Sequence, residues 1–287
     1  MALLKRSSTS ASSDGGRMSL IEHIRELRNR LIKAILAAIV GTAIGFAFFD
    51  PIWTFMTGPF CRLPEAYKLS GGEGCTLVVR GILDGFFVNL KVAAMFGVVV
   101  SAPVWLYQLW AFVAPGLHRK ERRYSLAFLG LAIPLFGAGA ALAYLTMDQG
   151  LSLLLGFVPN GAIPLIDVND YLSFLLMMLV IFGASFLLPL LMVFLNVVGV
   201  LRYRTVAKHQ RMVVFLVFVF AAVATPSQDP FTMLALALPM VGLFYIAVAV
   251  MYFRDRKRDA EEAARAQAIE EELDGPTAAA DLGQPPR

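Results

Sequence analysis

Two acidic residues stand among arginines in a chain that otherwise carries little charge. Glu26 lies in His23-Ile24-Arg25-Glu26-Leu27-Arg28, and Glu121 lies in the run Arg119-Lys120-Glu121-Arg122-Arg123. A carboxylate accepts two parallel N–H bonds from a guanidinium, whereas an ammonium offers it only a point charge. Each acid therefore has two readings. It is neutralised locally, Glu26 by Arg30 one helical turn on and Glu121 by Arg122 or Arg123, or it is held ready for a cationic peptide. Catalysis finds less support. His23, His118 and His209 stand at no metal-ligand spacing, and no Gly-rich phosphate loop with its lysine is present. No metal or cofactor is expected, and nucleotide is excluded as a direct energy source within this chain.

The elements that must position these residues are membrane helices. Of 287 residues, 58% are hydrophobic and only 16% charged, too few charges to cover a water-soluble surface. A span needs about 20 apolar residues. Six candidates follow: about Leu31–Phe49, Phe86–Val113, Tyr124–Met147, Tyr171–Val198, Met212–Ala224 and Phe231–Phe253. The fifth is short, so it must thin the bilayer, borrow residues from the preceding loop or sit inside the protein. The breaker-rich turn Thr225-Pro226-Ser227-Gln228-Asp229-Pro230 makes it one arm of a helical hairpin. The first apolar stretch starts behind a long polar lead and outruns a signal-peptide core, so no cleavable leader is expected.

Twenty-one of the 25 Lys and Arg fall on one side of these spans, against Arg62, Lys68 and Arg80 on the other with Lys91 just inside the second span. The positive-inside rule puts both termini in the cytoplasm, in agreement with an even number of spans. The expected organisation is a disordered N-terminus over 1–18, a membrane domain over 19–253 and a charged, partly disordered tail over 254–287. Outer loops are expected at 50–85, 148–170 and 225–230. Cys61 and Cys75 share the first of them, in the oxidising compartment, where a disulfide is expected. The basic flanks should attract anionic lipid, and nothing in the charge pattern points to nucleic acid.

Leu20, Ile24, Leu27 and Leu31 recur at helical spacing, and Ser19-Leu20-Ile21-Glu22 reads as a capping box. An amphipathic helix carrying Glu26 thus leads into the first span. In the second span Pro103 should impose a kink, and Trp105, Tyr107 and Trp110 form an aromatic belt before the loop that holds Glu121. Pro103, Pro134, Pro189 and Pro239 are read as buried within four different spans.

The stretch Ser101-Ala102-Pro103, then Tyr107-Gln108-Leu109-Trp110-Ala111-Phe112-Val113-Ala114-Pro115-Gly116-Leu117, then Glu121-Arg122-Arg123, resembles the TatC family, the multi-spanning component of the twin-arginine translocase. The His23–Arg28 segment, Tyr171-Leu172-Ser173-Phe174 and the turn from Thr225 to Phe231 carry the same resemblance, which covers roughly 19–253. It implies an all-α integral membrane protein with a concave, glove-like bundle, located in the cytoplasmic membrane of a prokaryote. It also implies binding of twin-arginine signal peptides and export of folded proteins with single-span TatA- and TatB-like partners, other copies of itself and the proton-motive force. At the positions matching the family's peptide site stand Glu26, Arg28, Phe112, Glu121, Arg122 and Arg123. Pro59, Thr225, Asp229 and Met233 match positions given structural, partner or assembly roles.

The chain departs from the family pattern at Leu187, where many relatives carry a glutamate inside the fourth span, and at Met233, where some carry a polar residue. Two rival readings remain. A solute transporter would place ionisable groups at mid-membrane and show repeated halves, and the span centres here hold almost no charge. A scaffold would organise partner helices without reading cargo.

Overall fold

The computed structural model of the chain describes residues 20–63, 77–113, 122–159, 164–227 and 229–274. Among these residues nine helices run in order: α1 Leu20–Ala47, α2 Phe49–Cys61, α3 Asp84–Val100, α4 Ala102–Val113, α5 Arg122–Leu155, α6 Val168–Val197, α7 Tyr203–Lys208, α8 Gln210–Ala224 and α9 Pro230–Asp274. The only strand-like feature among them is an isolated parallel bridge between Val78 and Asp167. The all-α expectation holds. Five segments are long and apolar enough to cross a membrane: His23–Ala47, Phe128–Leu155, Val168–Val197, Tyr203–Ala224 and Pro230–Glu271. A sixth arises when Asp84–Val100 and Ala102–Phe112, bent by 57°, are taken as one span.

Several boundaries differ from the expected ones, each for a physical reason. The amphipathic segment and the first span form a single helix, α1, because no breaker separates them. The region 50–85, expected as a loop, contains α2: after a one-residue turn at Phe48, Asp50 and Pro51 stand in a first helical turn, where a carboxylate and a missing N–H are both tolerated. The third span runs past Met147 to Leu155, and the polar residues that appeared to end it are partnered, as Asp148 faces Arg62 at 3.6 Å. The short fifth span gains length from the preceding residues. Tyr203–Ala224 covers 22 residues, or roughly 33 Å at 1.5 Å each. Arg204, Lys208 and Arg211, expected in a loop, lie in this span, since long basic side chains reach the interface from within a helix.

The chain divides into two compact units. The first comprises Met1–Gly58, Leu77–Ile133 and Asp167–Leu172. In it α1 packs along α3 through small residues. A Cβ on Gly41 would lie 2.7 Å from the Gly97 carbonyl oxygen, and one on Gly45 would lie 2.7 Å from that of Ala93. Gly41 and Gly45 are four apart, as are Ala93 and Gly97, so the two backbones approach as they do at small-residue seams in membranes. Bulky residues point the other way: Ile32, Ile35, Leu36, Ile39 and Val40 are exposed. An apolar exterior with a small-residue interior reverses the soluble pattern and suits a lipid solvent.

The kink expected at Pro103 falls at Ser101, two residues earlier. Pro103 has no N–H for the Val99 carbonyl, so α3 stops and α4 begins with the proline in its first turn. At the break the neighbouring Val98 carbonyl accepts from Ser101 Oγ at 3.2 Å and from Trp105 Nε1 at 2.9 Å. The start of α6 belongs to the same unit. Tyr171, fully buried, donates to the Met56 carbonyl at 2.6 Å, and Lys91 donates to the Asn169 carbonyl at 3.2 Å.

The second unit comprises Pro59–Thr76, Pro134–Ile166 and Ser173–Arg287. Within it α5 and α6 meet closely: a Cβ on Gly139 would lie 2.5 Å from the Phe182 carbonyl oxygen, and one on Gly183 would meet the Phe136 ring. Val206, Phe244, Val248 and Met251 form a buried cluster joining α7 to α9, with Met192 and Val213 packed against it. Of the four span prolines, only Pro189 is buried. Pro103 and Pro134 are exposed and Pro239 is half-buried. A membrane protein turns much of its apolar surface to lipid, so position inside a span does not mean burial inside the protein.

Candidate functional site

Glu26 occupies the second turn of α1, one turn before Arg30, and the ion pair that the spacing predicts is present. Arg30 Nε donates to Glu26 Oε1 at 2.9 Å, and a terminal nitrogen of the same guanidinium also reaches that oxygen. Both side chains are about three-quarters buried, at 23% exposure each. The second oxygen is different. Glu26 Oε2 is buried and has no hydrogen-bond partner among the described residues. A buried acceptor without a donor costs its full desolvation, about 1–3 kcal/mol or more for a charged group. Its natural complement is a further N–H, and a charged one most of all.

One turn before Glu26, on the same face, the His23 ring stacks on Phe112 with centroids 4.5 Å apart and planes at 22°. Such a contact contributes about 0.5–1.5 kcal/mol and ties α1 to the end of α4. Beside it lies an apolar cleft of about 190 Å³. Leu27, Leu31 and Ala34 of α1 and Trp105, Leu109 and Phe112 of α4 line it, with Arg30 and Gln108 at its margin. A carboxylate whose second oxygen has no partner among the described residues thus adjoins a greasy cleft. His23 matches no metal spacing, and nothing in its residue type alone marks it for this site. Its separation of three from Glu26 was the available signal that both face one side.

Of the other residues expected here, Arg28 is exposed and makes no ion pair among the described residues. Glu121 lies outside the described residues. Arg122 and Arg123 form the first turn of α5, and their side chains are not among those described. The structure therefore brings together Glu26, Arg30, His23 and Phe112.

The partner and assembly positions lie in the second unit. Asp229 is buried and caps α9: Oδ1 accepts from the Thr232 amide at 2.8 Å, with Pro230 at the first helical position. Oδ2 accepts from the Thr232 hydroxyl, which also meets Ser227 Oγ at 2.7 Å. Burial alone would raise the Asp229 pKa, but hydrogen bonds from Ser227, the Thr232 side chain and amide, and the Phe231 amide hold it below the usual carboxylate range. A depressed carboxyl contributes stability above its unfolded pKa and loses that contribution as pH falls through the folded value. Asp229→Ala should therefore cost about 1 kcal/mol of stability at pH 7, with the deficit shrinking below pH 4. Thermal unfolding in detergent across that range checks it, and a deficit independent of pH would contradict it.

Thr225 was expected to offer its hydroxyl to a partner helix or to its own backbone. It does neither. The residue is fully buried and Oγ1 has no hydrogen-bond partner among the described residues. Met233 is half-buried in the first turn of α9, its amide bonded to the Asp229 carbonyl at 3.1 Å. Pro59 lies inside α2. Leu187 is half-buried within α6, so no carboxylate occupies that position. Cys61 is disulfide-bonded, and Cys75 lies outside the described residues.

The profile of the TatC family, described as Sec-independent protein translocase protein (TatC), matches residues 22–239. A protein of that name from Frankia casuarinae is 49% identical over 248 residues, covering 85% of this chain and 68% of the relative. One from Xylanimonas cellulosilytica is 37% identical over 243 residues, covering 85% and 87%. A crystal structure of a twin arginine translocase receptor, TatC, in DDM superposes with a TM-score of 0.64 at 29% identity, covering 80% of this chain and 99% of the other.

Proposed function

Because this chain belongs to the TatC family of Sec-independent protein translocase proteins, we propose that it is the subunit of the twin-arginine translocase that reads the cargo's signal. It is a multi-pass membrane component of that machinery and not an enzyme. In this reading Glu26 and Glu121 take one arginine each from the paired motif at the cytoplasmic face. Phe112 and the cleft beside it receive the apolar stretch that follows, while Arg28, Arg122 and Arg123 border the site and keep other cations away. The observation that carries it is the Glu26 carboxylate. One oxygen already holds a guanidinium, and the other is a buried acceptor with no partner among the described residues.

The rest of the assignment follows from the charge distribution. Both termini face the cytoplasm of a prokaryotic cell, and the basic flanks lie on anionic lipid. Cys61 pairs with Cys75, the only other cysteine in the chain. Single-span TatA- and TatB-like partners and further copies of the chain complete the translocase, with Pro59 and Met233 near the faces they use and Asp229 shaping the hairpin between them.

Co-purification tests the central claim. A precursor bearing Arg-Arg should be retained by the full-length protein, and the same precursor bearing Lys-Lys should be lost. Equal retention of both would leave a scaffold that gathers partner helices without reading cargo.

A further inference from the structure

A second group of arginines, where α9 passes the start of α7, plays no part in the peptide site proposed above. The apolar stretch of α9 ends at Phe253 and is followed by Arg254-Asp255-Arg256-Lys257-Arg258. Asp255 fixes this junction: one oxygen accepts the Tyr203 amide at 2.7 Å, and the other accepts the Asn196 side-chain amide at 2.9 Å. Arg254 adds a bond to the Val197 carbonyl at 3.1 Å, and Tyr203 meets Tyr252 edge to face at 5.1 Å. These ties leave an open pocket of about 310 Å³ with Arg202, Arg204, Arg256 and Arg258 in its walls.

The acids around this pocket are already engaged. Asp255 is held by the two amides, Asp259 faces Arg204 at 3.8 Å, and Glu262 accepts from Arg258 at 2.9 Å. Arg202 and Arg256 are exposed and make no salt bridge among the described residues. The four arginines in the walls outnumber the two carboxylates there, Asp255 and Asp259, so positive charge stands in surplus where the apolar helix surface ends. Along α9, Tyr245, Ala249 and Tyr252 are exposed and share a face with Arg256, at separations of 4, 7 and 11 residues. The pocket thus continues into an apolar and aromatic strip running down the helix.

We propose that this pocket is a headgroup site for an anionic phospholipid. The phosphate lies against Arg202 and Arg256, and an acyl chain lies along Tyr245, Ala249 and Tyr252. A basic pocket between membrane helices on the cytoplasmic side suits such a headgroup, and guanidinium pairs phosphate through two parallel N–H bonds. The strip selects a lipid over a soluble phosphate, which would have no use for it. The inference takes the side of the membrane from the orientation proposed above, but it does not depend on peptide recognition.

The test uses the full chain in nanodiscs of phosphatidylcholine with a minor fraction of phosphatidylglycerol, with bound lipid counted by native mass spectrometry. The wild type should retain phosphatidylglycerol selectively, and millimolar glycerol 3-phosphate should not displace it. The double variant Arg202→Gln/Arg256→Gln should lose roughly thirtyfold in that selectivity, equivalent to about 1 kcal/mol per arginine. Lys208→Gln/Arg211→Gln removes the same charge from exposed positions outside the pocket and should retain it. Equal loss in both variants would reduce the effect to general surface charge, retention in the first would show the pocket idle, and displacement by glycerol phosphate would make it a soluble-anion site. Each overturns the proposal. Twin-arginine peptide binding on the same samples reports separately on the receptor reading.

Discussion

Glu26→Gln is expected to weaken binding of a twin-arginine peptide roughly tenfold to a hundredfold, and Glu121→Ala to abolish capture of the precursor. Both variants should still insert and fold. A hydrogen bond to a charged group contributes about 1.5–3 kcal/mol, and each factor of ten takes about 1.4. Losing both carboxylates would thus remove two to four orders of magnitude. Glutamine keeps the shape and one acceptor, so the first variant isolates charge from packing. Arg30 remains beside it, able to bond the amide oxygen where it now bonds Oε1. That resident guanidinium has a further consequence. Arg30 stays on Oε1 whether the peptide brings arginine or lysine to Oε2, so its repulsion lowers both affinities by a similar factor. Discrimination must come from how each cation fits the carboxylate. Titration of the purified variants with Arg-Arg and Lys-Lys peptides measures this directly, and an unchanged Arg-Arg affinity in both variants would end the two-acid account.

What the chain discloses before folding follows from which forces act locally. Apolar runs longer than a bilayer is thick count the spans, because nothing in hydrocarbon can satisfy an exposed backbone. The Glu26–Arg30 pair was legible for a similar reason, since a separation of four fixes proximity on any helix. The bend near Pro103 was legible in existence, because a missing N–H acts on its own turn. Its placement at Ser101 depended on two side chains, Ser101 and Trp105, finding one carbonyl.

Tertiary features were hidden. No local rule states that His23 will meet the Phe112 ring, since they lie 89 positions apart in the sequence and on different helices. Thr225 looked like a hydroxyl offered at a helix end, yet packing encloses it completely. The fifth span takes the course expected as one of three, borrowing residues from the preceding loop, and only its start was hidden. Charge does not mark the helix end, because a helix leaving a membrane carries arginine and lysine into the interface. The prolines failed because the sequence cannot tell lipid from protein as the neighbour of an apolar face.

The seam between α1 and α3 was hidden as well, and it carries the other large prediction. Gly97→Ala should destabilise the first unit by roughly 1–3 kcal/mol, the usual cost of forcing extra volume into a packed interface, and Gly97→Val should prevent accumulation of folded protein. A Cβ at this position would lie 2.5 Å from both the amide nitrogen and the hydroxyl of Thr42, and 2.8 Å from the Ala38 carbonyl oxygen. Two of those atoms are backbone, so no rotamer change makes room and the helices must separate. Gly85, on the same helix, supplies the control. Nothing lies within 4 Å of a Cβ built there, and alanine should be neutral or stabilising by about 0.4–1 kcal/mol. Thermal unfolding in detergent with protease accessibility compares the two, and matching curves would refute the close seam. Because α1 carries Glu26 and α3 leads through the Ser101 bend into α4, a folded Gly97→Ala fraction should also bind peptide more weakly than Gly85→Ala. The distance from His23 to Phe112, and the cleft beside it, is set by how closely these two backbones approach.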